Sequence, residues 1–277
     1  MVPGAQEAIT TSNGGAIANI TIFDTTEGAV IIDTGPSRAF GEALASLARE
    51  LTSKNVARVY LTHFHPDHIF GSQAFGPHKL ATTNGVVEAL KELGEAFADA
   101  MYRSAGDWMR GTELIIPGTI IQGGADDFGN RRIRALPMRG HTAADVVYFD
   151  ELSGTLVAGD LAFLDRAPTT PHADIEKWRI SLANLGAIPC SQIVPGHGPA
   201  EATDRALKQT REWLEAIEEI VRGAFEKGLD ISEAIALPLP QWTEKMALSR
   251  YEFERTVMHL YPKFEEHRWP RIDISAP

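Results

Sequence analysis

The chain has 277 residues, 44% of them apolar and 23% charged, so it can bury a substantial core and needs no staples to do so. A formal net charge of −11 argues against nucleic acid as the partner, because phosphate binding needs clustered Lys and Arg. No apolar run is long enough for a membrane span, and the opening MVPGAQEAITTSNGG has neither the basic start nor the apolar core of a signal peptide. Residues 16–33 predict two strands: AIANITIF alternates loosely, and AVIIDTG is a continuous apolar run that ends at a turn. Residues 37–51 carry Ala, Leu and Glu at helical spacing, and residues 55–62 (NVARVYLT) are a strand, which makes a strand–helix–strand unit of the α/β kind. A helix is expected over residues 84–110 and strands over 112–121 and 131–138. A hairpin is expected from residues 146–149 and 155–158 around a turn at 150–154. An amphipathic helix over 175–185 is followed by a short strand at 192–194, then by helices over 200–227, 231–236 and 251–261. Strands in both halves, each followed by a helix, predict two sheets packed face to face with helices outside.

The strongest chemical signal is Thr62-His63-Phe64-His65-Pro66-Asp67-His68, at the carboxyl end of an apolar strand. Imidazole and carboxylate are the ligands suited to zinc, iron or manganese. Pro66 biases Phe64 and His65 towards extended backbone, where His63 and His65 share a side. Asp67 and His68, past the proline turn, can face a second position nearby. Three further candidates stand at strand ends: His141 in Gly140-His141-Thr142, Asp160 closing TLVAGD, and His197 in Gly196-His197-Gly198. Each alone is a weak signal, but together they supply what the first motif lacks, since a two-metal site needs about three protein ligands per ion.

HFHPDH, GHT, AGD and GHG, in this order, resemble the metallo-β-lactamase superfamily over roughly residues 14–200, and Ile31-Ile32-Asp33-Thr34-Gly35 resembles its leading motif. The resemblance implies an α/β chain folded as an αβ/βα four-layer sandwich. Residues 1–205 would form the catalytic domain, with residues 206–277 as a helical extension packed on it. It implies that His63, His65 and His141 hold one metal ion, that Asp67, His68 and His197 hold another, and that Asp160 bridges them. The cofactor expected is two divalent ions, zinc first, with iron or manganese as alternatives. The activity implied is hydrolysis by an activated hydroxide attacking an ester, thioester or lactam carbonyl, with Asp67 as the catalytic side chain that orients the hydroxide or relays its proton. Asp33 is expected to hold a ligand imidazole or, alternatively, to cap its own turn.

Asp160 stands where the zinc β-lactamases most like the founding enzymes place Cys, so the site is more similar to that of glyoxalase II. The C-terminal region nevertheless lacks the glutathione-binding basic cluster of that enzyme. Residues 33–37, 68–71, 108–112 and 194–199 are more similar to the SoxH-like, quinoprotein-relay metallohydrolases. Two other enzyme classes of the superfamily compete: a mononuclear non-haem iron persulfide dioxygenase using His63, His141 and Asp160, and a phosphoesterase or nuclease, which the acidic charge disfavours. The complete ligand set argues against a non-enzymatic binding module. The expected partner is a small-molecule substrate, with neither nucleic acid nor membrane; a homodimer stays open, as does a cytoplasmic or periplasmic location.

Other residues draw plainer expectations. Cys190, the single cysteine, is read as buried and inert. His78, His172, His259 and His267 are read as structural or exposed, with His172 nearest to a cleft because it follows Asp160 on a loop. Phe64, Phe163 and Trp108 are expected in the core, pocket lining being the alternative. Arg131, Arg132 and Arg134 read as the solvated face of a strand.

Overall fold

The computed structural model describes residues 1–268, and the side chain of His267 lies outside the described residues. The first sheet contains β1 (Thr21–Thr25), β2 (Gly28–Ile32), β3 (Val56–Tyr60), β4 (Leu80–Thr83) and β5 (Thr119–Ile121), in that spatial order. β1 and β2 form an antiparallel hairpin, and the remaining pairs are parallel. Parallel strands need crossovers, and helices α1 (Arg38–Thr52), α2 (Pro66–Ile69) and α3 (Asn84–Ala105) lie in these connections. The second sheet has the order β10-β9-β8-β7-β6, built from β6 (Gly124–Asp127), β7 (Arg132–Met138), β8 (Asp145–Asp150), β9 (Thr155–Phe163) and β10 (Gln192–His197). Helix α4 (Ile175–Gly186) makes the crossover between the parallel pair β9 and β10. Helices α5 (Arg205–Glu226), α6 (Ile231–Ile235) and α7 (Ser249–Arg268) follow. Among the described residues, no helix is long and apolar enough to cross a membrane.

Two apolar clusters hold these layers. One fills the space between the sheets, with Ile31 and Tyr60 from the first facing Val146, Tyr148 and Val157 from the second. Tyr60 and Tyr148 pack with ring centroids 4.8 Å apart, and the Tyr148 hydroxyl donates to the Leu61 carbonyl at 3.0 Å. The other lies outside the second sheet, where Leu156, Trp178, Trp213, Ile217 and Phe253 are fully buried together. β2 and β9 have every residue buried, the pattern of strands covered on both faces.

Differences from the sequence reading have local causes. The strand expected over 112–121 shrinks to Thr119–Ile121, because Pro117 lacks an N–H for the ladder and the Gly118 N–H is used on the Pro77 carbonyl. β4 is only four residues long and β6 reads GADD, so neither carries a strand-like pattern. The helix expected from residue 200 begins at Arg205, and α7 runs past Tyr261 despite Pro262 within it. Cys190 is half-exposed rather than buried, at the end of the loop after α4. Trp108 is 52% exposed; its indole N–H donates to the Thr11 carbonyl, so it neither packs in the core nor lines a pocket. Arg132 and Arg134 do lie on an open face, whereas Arg131 is largely covered, pairing with the buried Asp150 and lying over the Phe23 ring.

Candidate metal centre

The ligand candidates come from strands of the inner layers and the segments that follow them: His197 is the last residue of β10, His141 follows β7, and Asp160 lies within β9. β3 delivers His63 and His65 on an extended stretch, with His65 at φ −72°, ψ 147°, and Pro66 then opens α2 at its first position, where its missing N–H costs nothing. Asp67 and His68 therefore lie in the first helical turn, aimed back at the strand end. This turn is strapped to the loop after β2: the Thr34 N–H donates to the His68 carbonyl at 2.7 Å, and the Gly71 N–H to the Gly35 carbonyl at 2.9 Å. Gly41 of α1 lies so close that a Cβ there would fall 2.1 Å from the Gly71 carbonyl oxygen. In the second half, Gly140 precedes His141 with φ +147°, and an added Cβ would stand 2.3 Å from the Trp178 Cα. Only glycine fits this approach, which seats His141 edge-on to Trp178.

All seven side chains named from the sequence meet. His63, His65, His141 and Asp160 form one group of converging donor atoms, and Asp67, His68 and His197 form a second. Asp160 spans them: Oδ1 lies 3.1 Å from His68 Nε2, while Oδ2 lies 3.3 Å from His197 Nε2 and 3.4 Å from His141 Nε2. Asp67 Oδ2 lies 3.5 Å from His68 Nε2 and 3.4 Å from His197 Nε2. His65 Nδ1 and His141 Nε2 are 2.8 Å apart, pointing at the same space. None of the seven is more than 8% exposed.

The outer nitrogens of these rings are held from behind. The Asp33 carboxylate accepts from the Thr62 N–H and hydroxyl and from His68 Nδ1, each at 2.8 Å. The Thr62 oxygen in turn lies 3.0 Å from His63 Nδ1, and the Ile17 carbonyl 2.9 Å from His197 Nδ1. His65 Nε2 is 2.9 Å from His172 Nδ1. His172 is thus drawn into the site, while His78 is exposed and His259 is half-buried on α7. With their Nδ1 atoms engaged, His63 and His68 turn Nε2 to the centre, and both atoms are buried without a hydrogen-bond partner, as is Asp160 Oδ1. Orphaned buried polar atoms of this kind are costly unless a cation completes them, so the donor set fits metal ions.

Electrostatics agree with that fit. Burial, reinforced by neighbouring imidazoles, pushes His63 and His65 well below the ordinary histidine value, and burial takes His141 down to about 3. These rings are therefore neutral at pH 7, as metal ligation requires. Burial opposes a charged His68, but Asp160, Asp67 and Asp33 together outweigh it and lift its pKa well above the usual value. Burial likewise opposes the Asp160 carboxylate, yet His197, His68 and His141 hold it well below its usual range.

A cavity of about 270 Å³ opens beside this cluster. His65, Asp67, Asp160 and His197 form part of its wall, and Phe97 and Met101 of α3 an apolar part. Phe163 lines it too, stacked on His197 at 5.1 Å, whereas Phe64 is buried behind His65. Arg166, Glu252 and Arg255 complete it, and no sequence motif marked them. Their only signal is position: Arg166 follows Asp160 by six residues, and the other two lie on a helix whose role in the site is visible only in three dimensions.

The metallo-beta-lactamase superfamily profile matches residues 13–197. The chain is 26% identical over 215 residues to the atrochrysone carboxyl ACP thioesterase of Aspergillus fumigatus, covering 74% of this chain and 61% of that protein. It is also 26% identical over 220 residues to the probable metallo-hydrolase YqjP of Bacillus subtilis, covering 65% of this chain and 67% of that one. Among solved structures, the metallo-beta-lactamase from Pontibacter korlensis superimposes with a TM-score of 0.59 at 22% identity, over 70% of this chain and 85% of its own, which shows the shared fold. With the αβ/βα sandwich, the converging His and Asp side chains and a family match spanning most of its length, this chain belongs to the metallo-β-lactamase superfamily.

Proposed function

We propose that the chain is a hydrolase that uses two divalent metal ions, zinc first, to cleave an ester, thioester or lactam. The observation that carries this reading is the convergence of seven buried donor side chains in two adjacent groups beside a cavity. His63, His65 and His141 would hold one ion and Asp67, His68 and His197 the other, with Asp160 shared between them. When bound, the ions supply Lewis acidity towards the acyl oxygen and a water whose pKa is lowered towards ~7. The residues do the rest. Asp33 and Thr62 fix the ring orientation of His68 and His63, and the Ile17 carbonyl fixes that of His197. Asp67 lines the cavity and stands within 3.5 Å of both His68 and His197, where its carboxylate can orient the attacking water and take its proton. The water oxygen joins the acyl carbon, and the alcohol, thiol or amine departs with a proton. No Ser or Cys nucleophile is needed, and Cys190 lies outside the cavity wall.

Residues 33–37, 68–71, 108–112 and 194–199 support a place in the SoxH-like group of the superfamily, and Asp160 in place of Cys supports a site of the glyoxalase II kind. Packing of the helical extension on the catalytic domain is supported, over residues 206–268, by the core that Trp213, Ile217 and Phe253 share with β8 and β9. The test is a panel of ester, lactone, thioester, lactam and phosphoester substrates given to zinc-loaded protein. Turnover of at least one acyl compound, abolished by the double change Asp67→Ala and His68→Ala, supports the reading. Turnover confined to phosphoesters, or undiminished in the double variant, contradicts it.

A further inference from the structure

We infer that Arg166 and Arg255 make the pocket a carboxylate-reading one, so that the substrate is a short acyl compound carrying its own carboxylate group. This deepens the hydrolase reading and rests on it for the acyl part alone. Arg166 is only 5% exposed and lines the cavity. Its backbone is clamped: Asp165 takes a left-handed φ of +56°, the Ala247 N–H donates to the Asp165 carbonyl and the Ala167 N–H to the Ala247 carbonyl, each at 2.9 Å. The loop after Asp160 is thereby tied to the start of α7. Among the described residues, Arg166 donates a hydrogen bond only from Nη1, to the Ala5 carbonyl at 3.5 Å; Nη1 also lies 3.2 Å from His197 Nδ1, whose proton goes to the Ile17 carbonyl, and the buried Nε has no partner. A guanidinium kept out of water with most of its donors unspent is costly unless an anion compensates it.

Arg255 presents the complementary feature. Nη1 alone is engaged, with Thr169 Oγ1 at 2.8 Å and with both carboxylate oxygens of Glu252 at 3.1 and 3.2 Å. The Nε–Nη2 edge carries no hydrogen bond among the described residues, and that edge is the one a carboxylate grips with two parallel bonds. The side chain is 39% exposed, so the edge is reachable. Glu252 is 1% exposed and pins Arg255 in place, and it is the one carboxylate of this part of the wall. Asp67 and Asp160 also bear on Arg166, but both belong to the donor set whose charge bound metal ions would offset. Two guanidiniums against one carboxylate leave one positive charge, which a single carboxylate on the substrate would balance. A local excess of positive charge in a chain of net charge −11 favours selection of that group over a neutral end. The cavity, about 270 Å³, falls just below the usual range of ligand pockets, ~300–1,000 Å³, which favours a short acyl chain.

Calorimetry on the zinc-loaded, full-length protein tests this without turnover, using glutarate and butyrate as probes. Each has one carboxylate that can sit on the metal side, and only glutarate has a second. The expected result is glutarate binding about tenfold tighter than butyrate, the scale of one charge-assisted contact. Arg255→Gln, on a partly exposed helix face, is expected to bring the two within about threefold, and Arg255→Lys to fall between. Equal binding of the two by the native protein, or a preference unchanged in Arg255→Gln, overturns the inference. Glutaryl and butyryl thioesters of one thiol then separate the two readings. Hydrolysis of neither sinks the acyl-hydrolase reading, while the calorimetric preference still decides the carboxylate site.

Discussion

The Asp33 carboxylate accepts a hydrogen bond from His68 Nδ1 at 2.8 Å, which turns His68 Nε2 towards Asp160 Oδ1, 3.1 Å away. Asp33 reaches this position from a left-handed backbone, φ 64°, which Asp and Asn tolerate better than other residues with a Cβ. It both holds an imidazole and closes its turn, so the two roles weighed from the sequence are one geometry.

Removing that contact should loosen metal rather than unfold the chain. Asp33→Asn keeps the backbone preference but cannot accept from His68 and Thr62 as a carboxylate does. Zinc affinity, measured by competition with a chromophoric chelator, is expected to fall about 10–100-fold. Asp33→Ala adds backbone strain, so its melting temperature should also drop below that of Asp33→Asn.

The pH dependence of the metal-free protein follows from the imidazoles. His68 has its folded pKa raised above 6.5, so its contribution to stability is full below 6.5 and is lost as pH rises through the folded value. His63, His65 and His141 are lowered, His141 to about 3, so below pH 6.5 the unfolded chain takes up protons that these folded rings refuse, and stability falls with falling pH. Zinc must displace the His68 proton, so its affinity should increase with pH above 6.5. Zinc titrations across pH should show that slope, and His68→Gln should flatten it; an unchanged slope in the variant refutes the assignment.

Gly140→Ala forces a Cβ to 2.3 Å from Trp178 at φ +147°. Urea unfolding should show a loss of about 2 kcal/mol or more, with weaker zinc binding because His141 moves. Gly186→Ala, at the end of α4 with no atom within 4 Å of the new Cβ, should be neutral or slightly stabilising.

The site was more legible in the sequence than its surroundings. His63, His65, Asp67 and His68 fall within six consecutive residues after an apolar strand, and His141, Asp160 and His197 each follow a stretch that reads as a strand, so local pattern alone points to them. The short strand β4 and the polar strand β6 left no such trace, because pairing with neighbours rather than their own side chains makes them strands. Trp108 carried the composition of a core residue, yet its indole N–H is spent on the surface at Thr11. Arg166 and Arg255 enter the pocket only because the loop after β9 and helix α7 fold over it, a tertiary relation that spacing does not encode, whereas the place of His172 on the loop after Asp160 is itself a signal.

Under the proposed function, these seven side chains gather a pair of cations. Elemental analysis of freshly purified protein, done on the native chain and on the Asp67→Ala, His68→Ala double variant, tests it most directly. Two divalent ions per native chain, falling to one or fewer in the variant, is the predicted result. One iron per chain in both, with oxygen consumed on a persulfide, would contradict it.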